Sequence, residues 1–154
     1  MNIYDRLKEL ELTLPQPPAR GGVYVPVKQV GKLLFVSGQG PMVDGKPAFV
    51  GKVGAERTIE EGQEAARVCV LNTLAWLHEH LGDLNRIRDV VKLLGFVASA
   101  PGFNRQPEVI NGASQLLVDI LGDSGWHARS AIGSNELPGN ITVEVESIFE
   151  VIDE

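Results

Sequence analysis

The residues with the clearest chemical potential lie near the C-terminal end of the chain, where an arginine precedes two glutamates. Arg129 stands in an apolar run, and Glu144 and Glu146 alternate with valines a little further on. The planar fork of an arginine binds a carboxylate through two parallel hydrogen bonds. A neighbouring glutamate can steer a water molecule. These residue types predict a site for a small carboxylate, with water as the second reactant.

A purely structural interpretation of the same residues is also open. The segment 134–140 is typical of a hairpin loop, and such a hairpin would place Arg129 opposite residue 145, within reach of Glu144 or Glu146. The guanidinium would then form an ion pair on the face of its own sheet. His127 shares the strand face of Arg129 and can exchange a proton near neutral pH, although a packing role is the alternative for it.

Hydrophobic spacing predicts the elements that must position these residues. Thr58 and Glu61 have the spacing of a capping box, so a helix is expected over 58–81, with Gly82 as its stop. A second helix is expected over 106–121. The run 90–97 fits a strand covered on both faces. Further strands are predicted over 23–27, 32–36, 48–50, 129–133 and 141–151, the last two as a hairpin.

This order of elements predicts an α+β fold with two layers, in which two long helices cover one face of a mixed β-sheet. Residues 1–20 are expected to form an N-terminal helix and a proline-rich connector. Residues 21–154 are then expected to form one domain, since a chain of 154 residues has the length of a single ordinary domain.

Composition narrows the possible partners and compartment. The formal net charge of −6 counts against general nucleic-acid binding, which depends on clustered lysines and arginines. The single cysteine excludes an internal disulfide, and neither a secretory leader nor a membrane span is predicted, so the cytoplasm is the expected compartment. His78 and His80 do not face each other on a helix, so no metal site is predicted.

Several motifs in order along the chain resemble those of the RidA/YjgF family. The C-terminal signature of that family is an arginine, a Leu-Pro several residues later and an acidic strand, as in Arg129, Leu137-Pro138 and Val143–Glu146. The resemblance extends to Gly22-Val23-Tyr24, Ser37-Gly38-Gln39 and Val109-Ile110-Asn111, and it covers about residues 21–151.

This resemblance implies a chorismate-mutase-like fold that assembles as a homotrimer with three clefts between subunits. It also implies hydrolysis of reactive 2-imino and 2-enamino acids to 2-keto acids and ammonia, without a cofactor. In such a site Arg129 would hold the substrate carboxylate and Glu144 would lie near the reacting water. The remaining substrate-binding residues would be Tyr24, Ser37, Gly38, Asn111 and His127.

Two features separate this chain from many members of the family. Ala131 stands where many of them have a cysteine, so thiol-dependent behaviour is not implied. The N-terminal helix and the segment 80–88 indicate a longer subgroup, whose substrates can differ. A non-catalytic module that binds keto or amino acids therefore stays open, as does the endoribonuclease and translation-inhibitor activity under which the family is often described.

Overall fold

The computed structural model describes residues 2–152 and shows one mixed sheet with two long helices on one face. The five-stranded sheet has the order β1-β2-β7-β5-β6, and only β5 and β6 are parallel. A two-stranded hairpin, β3-β4, lies apart from it. The strands are β1 (Val27–Val30), β2 (Leu33–Gln39), β3 (Met42–Val43), β4 (Lys46–Pro47), β5 (Ile87–Ala98), β6 (Ala128–Ser134) and β7 (Val143–Val151); the helices are α1 (Ile3–Glu9), α2 (Ile59–Leu81) and α3 (Gln106–Leu121).

The two-layer α+β architecture predicted from the sequence is confirmed, as are both long helices. Thr58 caps α2 through the backbone N–H of Glu61, and the Glu61 carboxylate accepts the N–H of Thr58 in return. Gly82 ends this helix in the left-handed conformation, at φ 77°. No helix within residues 2–152 is long and apolar enough to cross a bilayer.

The predicted pairing of the last two strands is wrong. β6 lies parallel to β5 at the edge of the sheet, whereas β7 pairs antiparallel with the other side of β5. Leu93 of β5 therefore lies between Arg129 and Ser147, and Arg129 is not opposite residue 145. The crossover through α3 explains this arrangement, because a strand–helix–strand connection brings its two strands together in parallel.

Three other strand predictions need correction. The first strand begins at Val27 rather than at Val23, and residues 48–50 form no strand beyond an isolated bridge from Val50 to Ile141. β5 is covered on one face only, since its burial alternates and Lys92, Leu94 and Phe96 are only half-buried. The second face of the sheet is thus left open by the described part of the chain.

Helix α1 packs against the C-terminal ends of the two long helices. Ile3 and Leu7 are buried in the main hydrophobic cluster. The Tyr4 hydroxyl accepts the N–H of buried Leu84 at 2.8 Å and lies 2.7 Å from Nδ1 of His78. Arg6 Nε donates to the carbonyl oxygen of Asp119 at 2.7 Å, near the end of α3. These contacts anchor the N-terminal segment to the body of the fold.

The two long helices approach each other closely at Gly112. A Cβ added there would overlap the backbone carbonyl of Gln63 on α2. Glycine to alanine normally stabilises a helix interior by about 1 kcal/mol. At this position, forcing the helices apart is expected to cost more, so we expect Gly112→Ala to lower the free energy of unfolding by about 1–3 kcal/mol.

Urea denaturation followed by circular dichroism measures this change. Glu79→Ala, at an exposed position of α2, is the control and is expected to stay within about 0.5 kcal/mol of the wild type. A gain in stability for Gly112→Ala would contradict the close helix contact.

Candidate functional site

Arg129 lies on β6 with its side chain on the helix-covered face of the sheet. It pairs with Leu93, which is buried, and paired residues point to the same face. Its Nη1 donates to Oδ1 of Asn111 at 2.8 Å and to Oγ of Ser114 at 3.2 Å, both on α3. One nitrogen of the guanidinium, Nη1, is thus held by two neutral acceptors.

A chain of hydrogen bonds continues from this nitrogen through Ser114 and His127. Nδ1 of His127 lies 2.6 Å from the carbonyl oxygen of Gly125, which can only accept, so Nδ1 carries a hydrogen. Nε2 of His127 lies 2.9 Å from Oγ of Ser114, within hydrogen-bond distance. Arg129 thus donates to Ser114, Ser114 is hydrogen-bonded to His127, and His127 donates to the backbone. His127 therefore fixes the orientation of the serine that holds Arg129.

The Arg129 cleft is a cavity of about 400 Å³ between α3 and the start of β6. Within residues 2–152 no carboxylate lies within 4.0 Å of the Arg129 guanidinium nitrogens. The ion pair of Arg129 with Glu144 or Glu146, which the sequence left open, is therefore absent from the described residues. The cleft is lined by Asn111, Ser114, Gln115, Val118, Trp126, His127 and Arg129.

The other predicted site residues gather in a second place, the Glu144 cavity. It has a volume of about 740 Å³, and Tyr24, Ser37, Gly38, Glu144 and Glu146 are among the residues that line it. Ser37 is already engaged there, because its hydroxyl donates to the carbonyl of Val25 and its N–H to the carbonyl of Pro26, both at 2.8 Å. The Tyr24 hydroxyl accepts the N–H of Gly21 at 2.9 Å.

Gly38 and Glu144 are in close contact. A Cβ at position 38 would lie 2.5 Å from Oε2 of Glu144, so any other residue would displace the carboxylate. The open face of the sheet carries Glu144 and Glu146 two residues apart on β7. Burial raises the pKa of the Glu144 carboxyl above its ordinary value, and the charge of Glu146 raises it further.

These causes predict the titration of Glu144. Glu146→Gln is expected to lower the pKa of Glu144 toward the ordinary range, because it removes the neighbouring negative charge and leaves only burial. A carboxyl-detected NMR titration of both proteins measures the change. Glu136→Gln, in the exposed loop after β6, is the matched control and should leave Glu144 unchanged.

The folded chain binds this proton at a higher pH than the unfolded chain does. Ionisation of Glu144 therefore costs stability as the pH rises through its raised pKa, and this cost is absent below the ordinary glutamate range. An ordinary or lowered pKa for Glu144 in the wild type would contradict the burial of its carboxyl.

Arg129 and Glu144 do not meet within the chain. Arg129 shares the helix-covered face with Leu93 and Ser147, whereas Glu144 pairs with Phe96 on the open face. Their strands are separated by β5, a distance of about 10 Å. The structure thus brings Arg129, Asn111 and His127 together, and separately Tyr24, Ser37, Gly38 and Glu144.

Sequence reasoning missed Ser114, which contacts both Arg129 and His127. Its spacing of three residues from Asn111 on a predicted helix placed both on one face, and that signal was available. Gln115 and Val118 continue the same stripe along the cleft. The separation of Arg129 from Glu144 was also missed, although the predicted strand, helix and strand over 90–133 indicated the crossover that causes it.

The sequence of this chain is similar to that of a known protein family and of a curated relative. The family model described as "YjgF/chorismate mutase-like, putative endoribonuclease" matches residues 4–150. Protein TCP17 of Trypanosoma cruzi is 42% identical over 146 residues, covering 94% of this chain and 91% of that protein.

Solved structures agree over nearly the whole chain. The protein Atu1372 of Agrobacterium tumefaciens, described as having unknown function, is 48% identical with a TM-score of 0.91, over 97% of this chain and 92% of that one. A "putative endoribonuclease" of Shewanella oneidensis is 34% identical with a TM-score of 0.95, over 98% and 100%. RidA from an Antarctic Psychrobacter is 26% identical with a TM-score of 0.61, over 88% and 94%.

Proposed function

Because the chain belongs to the YjgF/chorismate mutase-like family, we propose that it hydrolyses reactive 2-imino and 2-enamino acids to 2-keto acids and ammonia. The observation that supports this proposal most strongly is the orientation of the Arg129 side chain and its lack of a charged partner. Its guanidinium is oriented by Asn111 and Ser114, has no carboxylate partner among the described residues, and faces a cleft of about 400 Å³. An oriented, unneutralised arginine in a cleft is suited to bind a small carboxylate.

The second half of the site is proposed to come from another copy of the chain. Each protomer carries an Arg129 half-site and a Glu144 half-site on opposite faces of its sheet, so neither is complete alone. A homotrimer in which one heterologous contact is used three times would bring the first half-site of one protomer against the second half-site of the next. The open sheet face supports such a contact, because Leu33, Phe35 and Ile132 are exposed on it.

The chemistry needs little beyond positioning. Arg129 holds the substrate carboxylate, which places the neighbouring C=N carbon beside a water molecule near Glu144. The water oxygen bonds to that carbon, the C=N electron pair moves to nitrogen, and Glu144 accepts one proton. Glu144 passes this proton to nitrogen and then carries the remaining hydroxyl proton to nitrogen as well. The C–N bond breaks with its electron pair on nitrogen, which releases ammonia as the C=O bond of the keto acid forms. The raised pKa of Glu144 suits it to this proton transfer.

An imine decay experiment tests the proposal. An amino-acid oxidase or a dehydratase generates the imino acid in situ, and its loss is followed with and without the protein. Accelerated hydrolysis at catalytic protein concentrations supports the deaminase. Unchanged decay would overturn it.

Ligand binding without turnover is the second candidate, and one observation favours it. Both the hydroxyl and the N–H of Ser37 are used inside the protomer, so they do not assist a substrate unless they are released. Saturable binding of a 2-keto acid together with unchanged imine decay would favour this binding module. RNA cleavage that survives repurification and is lost in Arg129→Ala would instead support a nuclease.

A further inference from the structure

The Arg129 cleft changes in character along its length. At one end, Arg129, Asn111 and Ser114 present a cation and polar groups. At the other end, Val118 and Trp126 present methyl groups and an indole ring. A ligand that fills the cleft therefore meets charge at one end and an apolar wall at the other.

The spacing on α3 sets the distance between these ends. Asn111, Ser114 and Val118 follow one another at intervals of three and four residues, so they form one stripe along the helix. Seven residues of helix rise about 10 Å from Asn111 to Val118. That length exceeds a bare keto-acid head group and leaves room for a side chain.

Trp126 is open to an occupant of this cleft. It directly follows the 3₁₀ turn Gly122–Gly125, and the residue is 71% exposed, more than Tyr24 or Phe35. The other tryptophan, Trp76, is half-buried and lines the Glu144 cavity instead. When an apolar group covers a large exposed aromatic ring at the wall of a cleft, much apolar surface is removed from water, and this stabilises binding.

We propose that Val118 and Trp126 select substrates with a bulky apolar side chain, so that 2-imino acids with branched or aromatic side chains are favoured over the smallest ones. This inference rests on the proposed function, because it treats the bound acid as a substrate. The selection itself concerns binding alone. The carboxylate lies on Arg129 and the side chain runs along α3 toward the indole. The cleft volume of about 400 Å³ is within the range of sites that enclose small ligands.

Calorimetric binding of three 2-keto acids, which are the stable products, tests this selection without turnover. The probes are pyruvate, 4-methyl-2-oxopentanoate and phenylpyruvate. The wild type is expected to bind the two larger acids about tenfold or more tightly than pyruvate, since each buried methylene changes discrimination by about tenfold or more. Trp126→Ala is expected to remove most of that preference, with a change of less than about threefold for pyruvate.

Two valine variants provide a matched pair. Val118→Thr keeps the shape and adds a hydroxyl in the cleft, so the preference is expected to fall by about threefold or more. Val68→Thr makes the same change at a half-buried position of α2 that lines neither cavity, and it should leave the preference intact. Equal binding of all three acids by the wild type would overturn the selection, as would an equal loss for all three in Trp126→Ala.

These experiments distinguish failure of the side-chain selection from failure of the proposed deaminase activity. A preference for large keto acids without any accelerated imine decay supports the selection and overturns only the hydrolytic activity. Accelerated decay with the same kcat/KM for imines derived from alanine, leucine and phenylalanine overturns the selection and leaves the activity standing.

Discussion

Arg129→Ala is expected to lower kcat/KM for imine hydrolysis by about 100-fold or more. Truncating one partner of a buried, hydrogen-bonded charge pair costs about 2–5 kcal/mol, and the substrate carboxylate would lose such a partner. The loss is expected in KM as well as in kcat, because the same contact both retains the substrate and orients its reacting carbon. Steady-state kinetics with an imine generated in situ measures both constants.

Two control variants make the result specific. Arg129→Lys keeps the charge but not the planar fork, so it is expected to recover only part of the lost rate. Arg88→Ala removes an exposed arginine of β5 that lies 3.7 Å from Glu150, away from both cavities, and should leave the kinetics unchanged. Full activity in Arg129→Ala would contradict the proposed role of this residue.

Mixing two inactive variants is expected to restore activity. Arg129→Ala and Glu144→Gln each disable one half-site, and loss of an acid–base residue alone typically costs about 100-fold or more. If each site takes one half from each of two protomers, random reassembly of equal amounts forms intact sites at about one quarter of the positions. The activity of the mixture should then approach about a quarter of the wild-type value.

A second mixture separates this arrangement from a site within one chain. Wild type mixed equally with the double variant Arg129→Ala/Glu144→Gln should also give about a quarter of full activity when sites lie between protomers. A site within one chain predicts no activity in the first mixture and about half in the second. That pair of values would overturn the intersubunit arrangement.

The helices of this fold were predictable because their ends carry local signals. Thr58 and Glu61 satisfy each other's backbone groups at the start of α2, and Gly82 accepts a left-handed conformation at its end. Asn111 and Arg129 were also predicted as site residues, and the structure joins them by a hydrogen bond of 2.8 Å. Local signals were enough for the ends of the helix, whereas Asn111 was expected in the site only through the resemblance to the RidA/YjgF family.

Strand order was not predictable in the same way. Alternation along 141–151 shows which residues of β7 share a face, but it does not say which strand lies beside them. The loop after Ser134 has the composition of a hairpin turn, yet it carries the chain past the end of β5. A signal did exist, because the predicted strand, helix and strand over 90–133 form a crossover that favours parallel pairing. The separation of Arg129 from Glu144 follows from the parallel pairing of β6 with β5.

Gly38 has a consequence for how the charge on Glu144 is balanced. Because the carboxylate rests against bare main chain at this point, β2 offers no side chain there to neutralise it. Among the described residues, no lysine or arginine forms an ion pair with it. The counter-charge is therefore expected to come from a second molecule, and glycine at position 38 gives the Glu144 carboxylate the space in which it rests.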